Sequence, residues 1–367
     1  MENFIYLWTS ATFMQKVTVN LENRSYDIEI DAGNLLKTDF SRFGTRYAIV
    51  TDSNVRKLYG EVLNESLIGQ GLEAELLDFP AGEQSKVPET AIKIGRELAR
   101  REFDRDSVVL ALGGGVVGDL AGYVASFFMR GINYIQAPTT LLAQVDSSIG
   151  GKTAVDIPEG KNLFGSFYQP KAVIADVGTL RILPEREVRN GLAEIIKYAV
   201  IRDAELFRFL EENHSARDTE FFTRVVKRAC EIKGEIVEKD EKEGELRKIL
   251  NYGHTIGHAI ETAGSYTIPH GEGVGLGMVY EGRISARLGL LDKIALDRQN
   301  KLIKEAGLPV RYEGNTDKLI EIMKKDKKSK DGKLYFVLPT SIGTVKEENG
   351  KIAFSVEETL VRECLNH

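Results

Sequence analysis

Cysteine is scarce: the 367 residues contain only two, Cys230 and Cys364, far apart and in no ligand-like spacing. This excludes a disulfide framework and a cysteine metal site, and it points to a reducing compartment. Positive charge is not in excess either. Lys and Arg total 49 against 55 Asp and Glu, a net charge of −6, so no global attraction to nucleic acid or to an anionic membrane is expected. Any anion must be held by a local basic pocket. No apolar run approaches membrane-spanning length; the stretch Phe4 to Trp8 follows Glu2, where a signal peptide would be positive, and Met14 before KVTVNL offers an alternative start. Internal repeats and low-complexity linkers are also lacking. What is present is ordinary for a folded chain, with 42% apolar and 28% charged residues and a length suited to about two domains.

The first half alternates short apolar runs with helical patterns. RYAIVTD (46–52), AELLDFP (74–80), SVVLALGGG (107–115), INYIQAP (132–138) and AVIADV (172–177) read as strands, and PETAIKIGRELARR (88–101) reads as a helix. Strands separated by helices predict βαβ units and a parallel sheet. The expected fold class is therefore α/β, with an N-terminal Rossmann-like parallel-sheet domain over residues 1–184. From 185 to 367 the periodicity is near 3.6 and strand runs are few, which predicts a mainly α-helical domain. It ends in a hairpin-like segment (333–356) and a short last helix. The two halves are expected to pack around a shared cleft.

Gly113, Gly115 and Gly118 stand in G-x-G-x-x-G spacing after a buried strand and before a helix, an arrangement that brings backbone N–H groups up to a diphosphate. A tight turn without a ligand is the competing reading. No acidic residue follows about twenty positions on, so Asp52, at the end of an earlier strand, is the candidate ribose partner. DSSIGGKT is not a nucleoside triphosphate loop, because Asp146 stands where glycine is required. It leaves Asp146 and Lys152, with Lys161 and Asn162 following, as a polar loop.

In GELRKILNYGHTIGHAIE, read as one helix, Arg247, Asn251, His254, His258 and Glu261 fall within a stripe about 80° wide at 100° per residue. His270 lies twelve residues beyond His258. Histidines one turn apart with a third nearby suggest a divalent metal site completed by a carboxylate, for which Glu194 in AEIIK is the candidate donor. A solvated polar face is the alternative. Arg130, Lys152, Lys161, Lys197, Lys233 and Arg247 together make a candidate anion pocket.

GGGVVGDLAGYVASFFMRG, APTTLLAQVDSSIGGKTAVD, GKNLFGSFYQP, NGLAEIIKYA, LNYGHTIGHAIE and HGEGVGLGM, in this order between about residues 45 and 340, resemble the successive motifs of the 3-dehydroquinate synthases. The resemblance implies a cytoplasmic homodimeric lyase of the shikimate pathway that uses NAD and a divalent metal, zinc or cobalt. Its substrate would be 3-deoxy-D-arabino-heptulosonate 7-phosphate. It places the metal on Glu194, His254 and His270. It assigns substrate contacts to Asp146, Lys152, Asn162, Lys197, Lys233, Arg247, Asn251 and His258, with Arg130 helping at the phosphate and Lys327 or Lys328 also reaching the substrate. Nucleotide contacts would be Asp52, Asn54, Glu83, Lys86, Gly114, Gly115, Asp119, Thr139, Thr140, Lys152 and Lys161. Ile182 stands where the family usually has threonine, so a hydroxyl contact there is missing. Another sugar phosphate cyclase and a metal-dependent polyol-phosphate dehydrogenase are the competing activities.

Overall fold

A computed structural model describes residues 14–265, 267–325 and 333–366. The strands are β1 (Gln15–Val19), β2 (Tyr26–Asp31), β3 (Arg46–Asp52), β4 (Glu73–Phe79), β5 (Val108–Gly113), β6 (Asn133–Pro138), β7 (Lys152–Ile157), β8 (Gly160–Phe167), β9 (Ala172–Asp176), β10 (Leu334–Val337), β11 (Pro339–Ser341), β12 (Thr344–Val345) and β13 (Ala353–Val356). The helices are α1 (Asn34–Lys37), α2 (Ser53–Val55), α3 (Glu61–Gly69), α4 (Pro88–Arg100), α5 (Gly115–Phe127), α6 (Glu185–Arg202), α7 (Ala204–Glu212), α8 (Thr219–Lys239), α9 (His254–Ala263), α10 (His270–Arg287), α11 (Lys293–Glu305), α12 (Thr316–Lys325) and α13 (Glu358–Asn366). The chain divides into two units: residues up to Leu183 with Arg217–Glu238, and Pro184–Ala216 with the residues from Lys239 onward.

In the first unit seven strands form one sheet in the order β1-β2-β9-β6-β5-β3-β4, parallel except for the β1–β2 pair. A parallel sheet is covered on both faces, so its strands are apolar at consecutive positions. Ala48, Val50, Val109 and Ala111 face α4 and α5, where Ile94, Leu98, Leu120 and Val124 meet them. The alternate residues Tyr47, Ile49, Leu110 and Leu112 join Leu63 and Leu67 of α3 on the other side. Small residues let α5 approach closely: a Cβ on Gly122 would stand 2.5 Å from Thr153 Cγ2, and one on Gly118 2.7 Å from Gln136 Oε1.

Sequence position does not fix unit membership throughout. Helix α8 lies beyond residue 184 yet belongs to the first unit, where Lys233 and Cys230 bond to the segment after β6: Cys230 Sγ donates to Gln144 O at 3.4 Å. In the second unit Ile256 and Ile260 of α9, Leu276, Tyr280 and Ile284 of α10, Leu319 and Met323 of α12, and Leu334 and Phe336 of β10 share one core. The tail pairs as a hairpin, β10 antiparallel to β13, with the small β11–β12 pair inside it. Among the described residues no helix is long and apolar enough to cross a membrane.

Both cysteines are buried. Burial pushes the Cys230 thiol up to about 12, against the pull of Lys233, and raises Cys364 as well. The thiolate is the reactive form, so the native protein should leave both thiols unmodified by a disulfide reagent at pH 8, and both should react once denaturant is added. Rapid labelling of the folded protein would contradict this packing.

Candidate metal centre and nucleotide-binding edge

Strand order locates a binding edge in the first unit. From the β3–β5 junction the chain proceeds outward to β4 on one side and to β6 on the other; ligands of open α/β sheets bind at the carboxyl ends of strands at such a switch. Asp52 ends β3, and Gly113 to Gly115 join β5 to α5, whose N-cap is Gly114. The loop after β6 closes over them. Thr139 N donates to Gly113 O at 2.9 Å, a Cβ on Gly114 would stand 3.2 Å from Thr140 Cγ2, and one on Gly115 3.1 Å from Ser147 Oγ. Asp52 already accepts from the N–H groups of Asn54 and Val55, at 2.8 and 3.0 Å, so it caps its own loop.

Beside this edge lies a buried ionic network. Lys86 Nζ donates to Asp119 Oδ2 at 2.5 Å and to Asn162 Oδ1 at 2.6 Å. Burial opposes a charged lysine, but Asp119 outweighs it and holds Lys86 protonated. Asn162 adopts a left-handed backbone conformation (φ 56°) on β8, and its N–H donates to Asp156 Oδ1 at 2.7 Å. The network thus draws Asn162, expected among the substrate residues, to Lys86 and Asp119 of the nucleotide set. Lys161 pairs with Glu83 at 3.1 Å. Lys233 Nζ donates to both the carbonyl and Oδ1 of Asp146, each at 2.7 Å, and Lys152 is exposed.

Arg130 is not brought to this edge. It follows α5 and precedes β6, at the amino ends of the strands, and thirteen helical residues separate the two edges by about 20 Å. Ile182 is 61% exposed. Lys327 and Lys328 lie outside the described residues.

The single helix expected over Arg247 to Glu261 is interrupted. Leu246–Asn251 is a short 3-10 segment, Tyr252 is extended (ψ 128°), Gly253 is left-handed (φ 77°), and α9 begins at His254. Only His254, His258 and Glu261 therefore share a helix face. Arg247 is buried instead in its own turn, its Nη1 donating to Glu241 O at 2.6 Å and its N–H to Asp240 Oδ2 at 2.9 Å.

The break delivers His254 to a triad. Glu194, fully buried on α6, directs Oε1 to within 3.4 Å of His254 Nε2 and 3.3 Å of His270 Nε2, and Lys197, one turn on, pairs with its Oε2. Burial alone would raise the Glu194 carboxyl, but Lys197 and the two imidazoles hold it well below the usual range. Burial and Lys197 lower His254, against the pull of Glu194. Burial also opposes protonation of His270, yet hydrogen bonds to Glu194 and Glu261 push it up to about 10.

The donor set fits a divalent cation. His254 Nδ1 donates to Tyr252 O at 3.0 Å and His270 Nδ1 to Glu261 Oε1 at 3.0 Å. Carbonyl and carboxylate oxygens only accept, so both Nδ1 atoms carry protons and both Nε2 atoms are left to face Glu194. Two imidazole nitrogens and one carboxylate oxygen, within 4.8 Å of one another, could hold a metal ion, and this donor set is of the kind that leaves a fourth position open.

Sequence reasoning gave Glu281 no role. It is fully buried, and its Oε2 accepts from Gly253 N at 2.8 Å and its Oε1 from Ile256 N at 3.4 Å, capping α9. Eleven residues after His270, it falls about 20° from it around α10, and that shared face was the available signal. One carboxylate therefore ties the start of the His254 helix to the His270 helix.

Solved sugar phosphate cyclases share this architecture. A 2-deoxy-scyllo-inosose synthase complexed with carbaglucose-6-phosphate, NAD+ and Co2+ is 26% identical with a TM-score of 0.88, covering 96% of this chain and 99% of that one. The 2-epi-5-epi-valiolone synthase ValA of Streptomyces hygroscopicus subsp. jinggangensis 5008, with NAD+ and Zn2+ bound, is 30% identical with a TM-score of 0.85, covering 98% of each. Fold and donor set thus define a cyclase-type enzyme. The 3-dehydroquinate synthase N-terminal model matches residues 76–190 and the C-terminal model residues 191–329. The 3-dehydroquinate synthase of Thermodesulfovibrio yellowstonii is 47% identical over 363 residues, 96% of this chain and all of that protein. The chain belongs to the 3-dehydroquinate synthase family.

The α9–α10 crossing has no room for side chains: a Cβ on Gly277 would stand 1.8 Å from Gly253 O, whereas one on Gly69 meets nothing within 4 Å. Gly277→Ala should lower the thermal midpoint by roughly 5 °C or more through overpacking, and Gly69→Ala should leave it unchanged or slightly raised. Equal midpoints for both variants would contradict the crossing.

Proposed function

We propose that this chain converts 3-deoxy-D-arabino-heptulosonate 7-phosphate to 3-dehydroquinate and inorganic phosphate, a carbon–oxygen lyase reaction dependent on NAD and on zinc or cobalt. The observation that carries the proposal is the triad of buried Glu194 with the half-buried His254 and His270, both Nδ1 atoms already committed. When bound, the metal would supply Lewis acidity at a substrate hydroxyl, and NAD a hydride acceptor regenerated in each turnover. The substrate's C5 alcohol is transiently a ketone, which acidifies the C6 proton. Its loss expels phosphate from C7; the alcohol is then restored, the ring opens and an intramolecular aldol addition closes the carbocycle.

Glu194, His254 and His270 hold the metal. A substrate with a carboxylate at one end and a phosphate at the other calls for cations at both. Lys152, Lys197, Lys233 and Arg247 are the proposed cations. Lys233 also fixes Asp146. Asn251 and Asn162 orient hydroxyls, and His258, whose ring centre lies 5.2 Å from that of His254, holds or moves a proton. Asp52, Asn54, Glu83, Lys86, Gly114, Gly115, Asp119, Thr139, Thr140 and Lys161 serve the nucleotide. Arg130, expected to help at the phosphate, lies at the amino ends of the strands of its own sheet. A cytoplasmic homodimer is part of the proposal, and the exposed Phe127, Met129, Leu163, Phe164 and Phe167 of the first unit offer apolar surface for a partner copy; light scattering measures that state.

With catalytic NAD+, phosphate release from the heptulosonate phosphate should continue for many turnovers, with none of comparable rate from glucose 6-phosphate or sedoheptulose 7-phosphate. Stoichiometric NADH accumulation would reveal a dehydrogenase, and faster turnover of either sugar a different cyclase.

Arg247→Ala should lower kcat/KM for the heptulosonate phosphate at least about a hundredfold, or about 2.7 kcal/mol, with the circular dichroism spectrum unchanged. A loss under about threefold in the folded variant would remove Arg247 from the site.

A further inference from the structure

Glu261 belongs to the polar face of α9 but takes no part in the proposed reaction. It lies seven residues after His254, about 20° away around the helix, and this places its carboxylate beside the first residue of α10. There Oε1 accepts from His270 Nδ1 at 3.0 Å, with the Glu261 side chain 11% exposed. Gly273 of α10 makes the space: a Cβ there would stand 3.1 Å from Glu261 Cγ and 3.2 Å from its Oε1. The two histidines of the triad are thus held differently, His254 by a backbone carbonyl that no side-chain substitution can remove and His270 by a side chain.

The same atoms permit a second grouping, His258, Glu261 and His270. Chemistry separates the two. A neutral imidazole has one protonated and one lone-pair nitrogen, so His270 serves one cation only. Glu194 is fully buried between the Nε2 atoms of His254 and His270, and His254 Nδ1 is committed to Tyr252 O. With both rings neutral, as cation binding requires, the Glu194 grouping is therefore the one in which two Nε2 lone pairs face a carboxylate.

We infer that Glu261 is a positioning residue for the metal: by accepting the hydrogen bond from His270 Nδ1–H it fixes the tautomer and ring orientation that present Nε2 beside Glu194. This rests on the proposed metal role of the triad. A carboxylate behind a ligating imidazole also raises its basicity, and loss of such a partner typically costs ten- to a hundredfold in metal affinity.

The test titrates metal-free full-length protein with Zn2+ against a chromophoric chelator and records the visible spectrum of the Co2+-loaded form, for the parent, Glu261→Gln, Glu261→Ala and His254→Ala. Circular dichroism confirms folding. Expected are one cation per parent chain, about ten- to a hundredfold weaker binding in both Glu261 variants with glutamine the milder, and a shifted Co2+ spectrum in Glu261→Gln, which keeps the shape if alanine does not fold. Affinities within twofold of the parent with an unshifted spectrum would overturn the inference. So would two cations per parent chain falling to one in Glu261→Gln, which would make Glu261 a ligand. If His254→Ala abolishes binding while Glu261→Gln does not alter it, the inference alone fails; if His254→Ala binds like the parent, the triad reading fails with it.

Discussion

A fully buried carboxylate is expensive unless positive charge or hydrogen-bond donors surround it, and much of the second unit is arranged around Glu194. Lys197 reaches it from the same helix, and two imidazoles face it from α9 and α10. The arrangement suits a cation, because the atoms closest to Glu194 Oε1 are nitrogen atoms whose opposite ring positions are already engaged. Three helices must hold their relative positions for it to persist. Glu281 caps α9 from within α10, and the Gly253–Gly277 and Gly257–Gly273 approaches remove the side chains that would otherwise separate the two helices. The glycines of YGHTIGH and HGEGVGLG are as necessary to the site as its histidines.

The first unit meets a different requirement, the pairing of buried charge beside the carboxyl edge of its sheet. The loops at Gly113–Gly115 and Thr139–Thr140 converge there, tied by the bond from Thr139 N to Gly113 O. The Lys86–Asp119–Asn162 network anchors the β7–β8 hairpin alongside them, helped by the bond from Asp156 N to Lys86 O at 2.7 Å. Charge there is fixed by pairing before any ligand arrives.

The parallel sheet was legible because strands buried on both faces leave continuous apolar runs, and RYAIVTD and SVVLALG coincide with β3 and β5. The triad residues were legible as residue types at helical spacing. Their geometry was not, since periodicity alone cannot register the left-handed turn at Gly253, and Arg247 was consequently placed on a stripe it does not share. Arg130 was legible as a cation, but its edge of the sheet follows only from the length of α5. Glu281 escaped notice because a carboxylate on an apolar helix announces no partner, and α8 because membership of a unit depends on long-range contacts rather than on sequence position. For the same reason Lys233, 87 residues away, bonds Asp146.

The coordination shell of the bound metal is the most direct measurement of this centre. X-ray absorption spectroscopy of the zinc-loaded protein should give two imidazole nitrogens and carboxylate oxygen at about 2.0–2.2 Å, with a further light-atom ligand in the open position. A shell of three imidazoles, or one containing sulfur, would contradict a centre built on Glu194, His254 and His270.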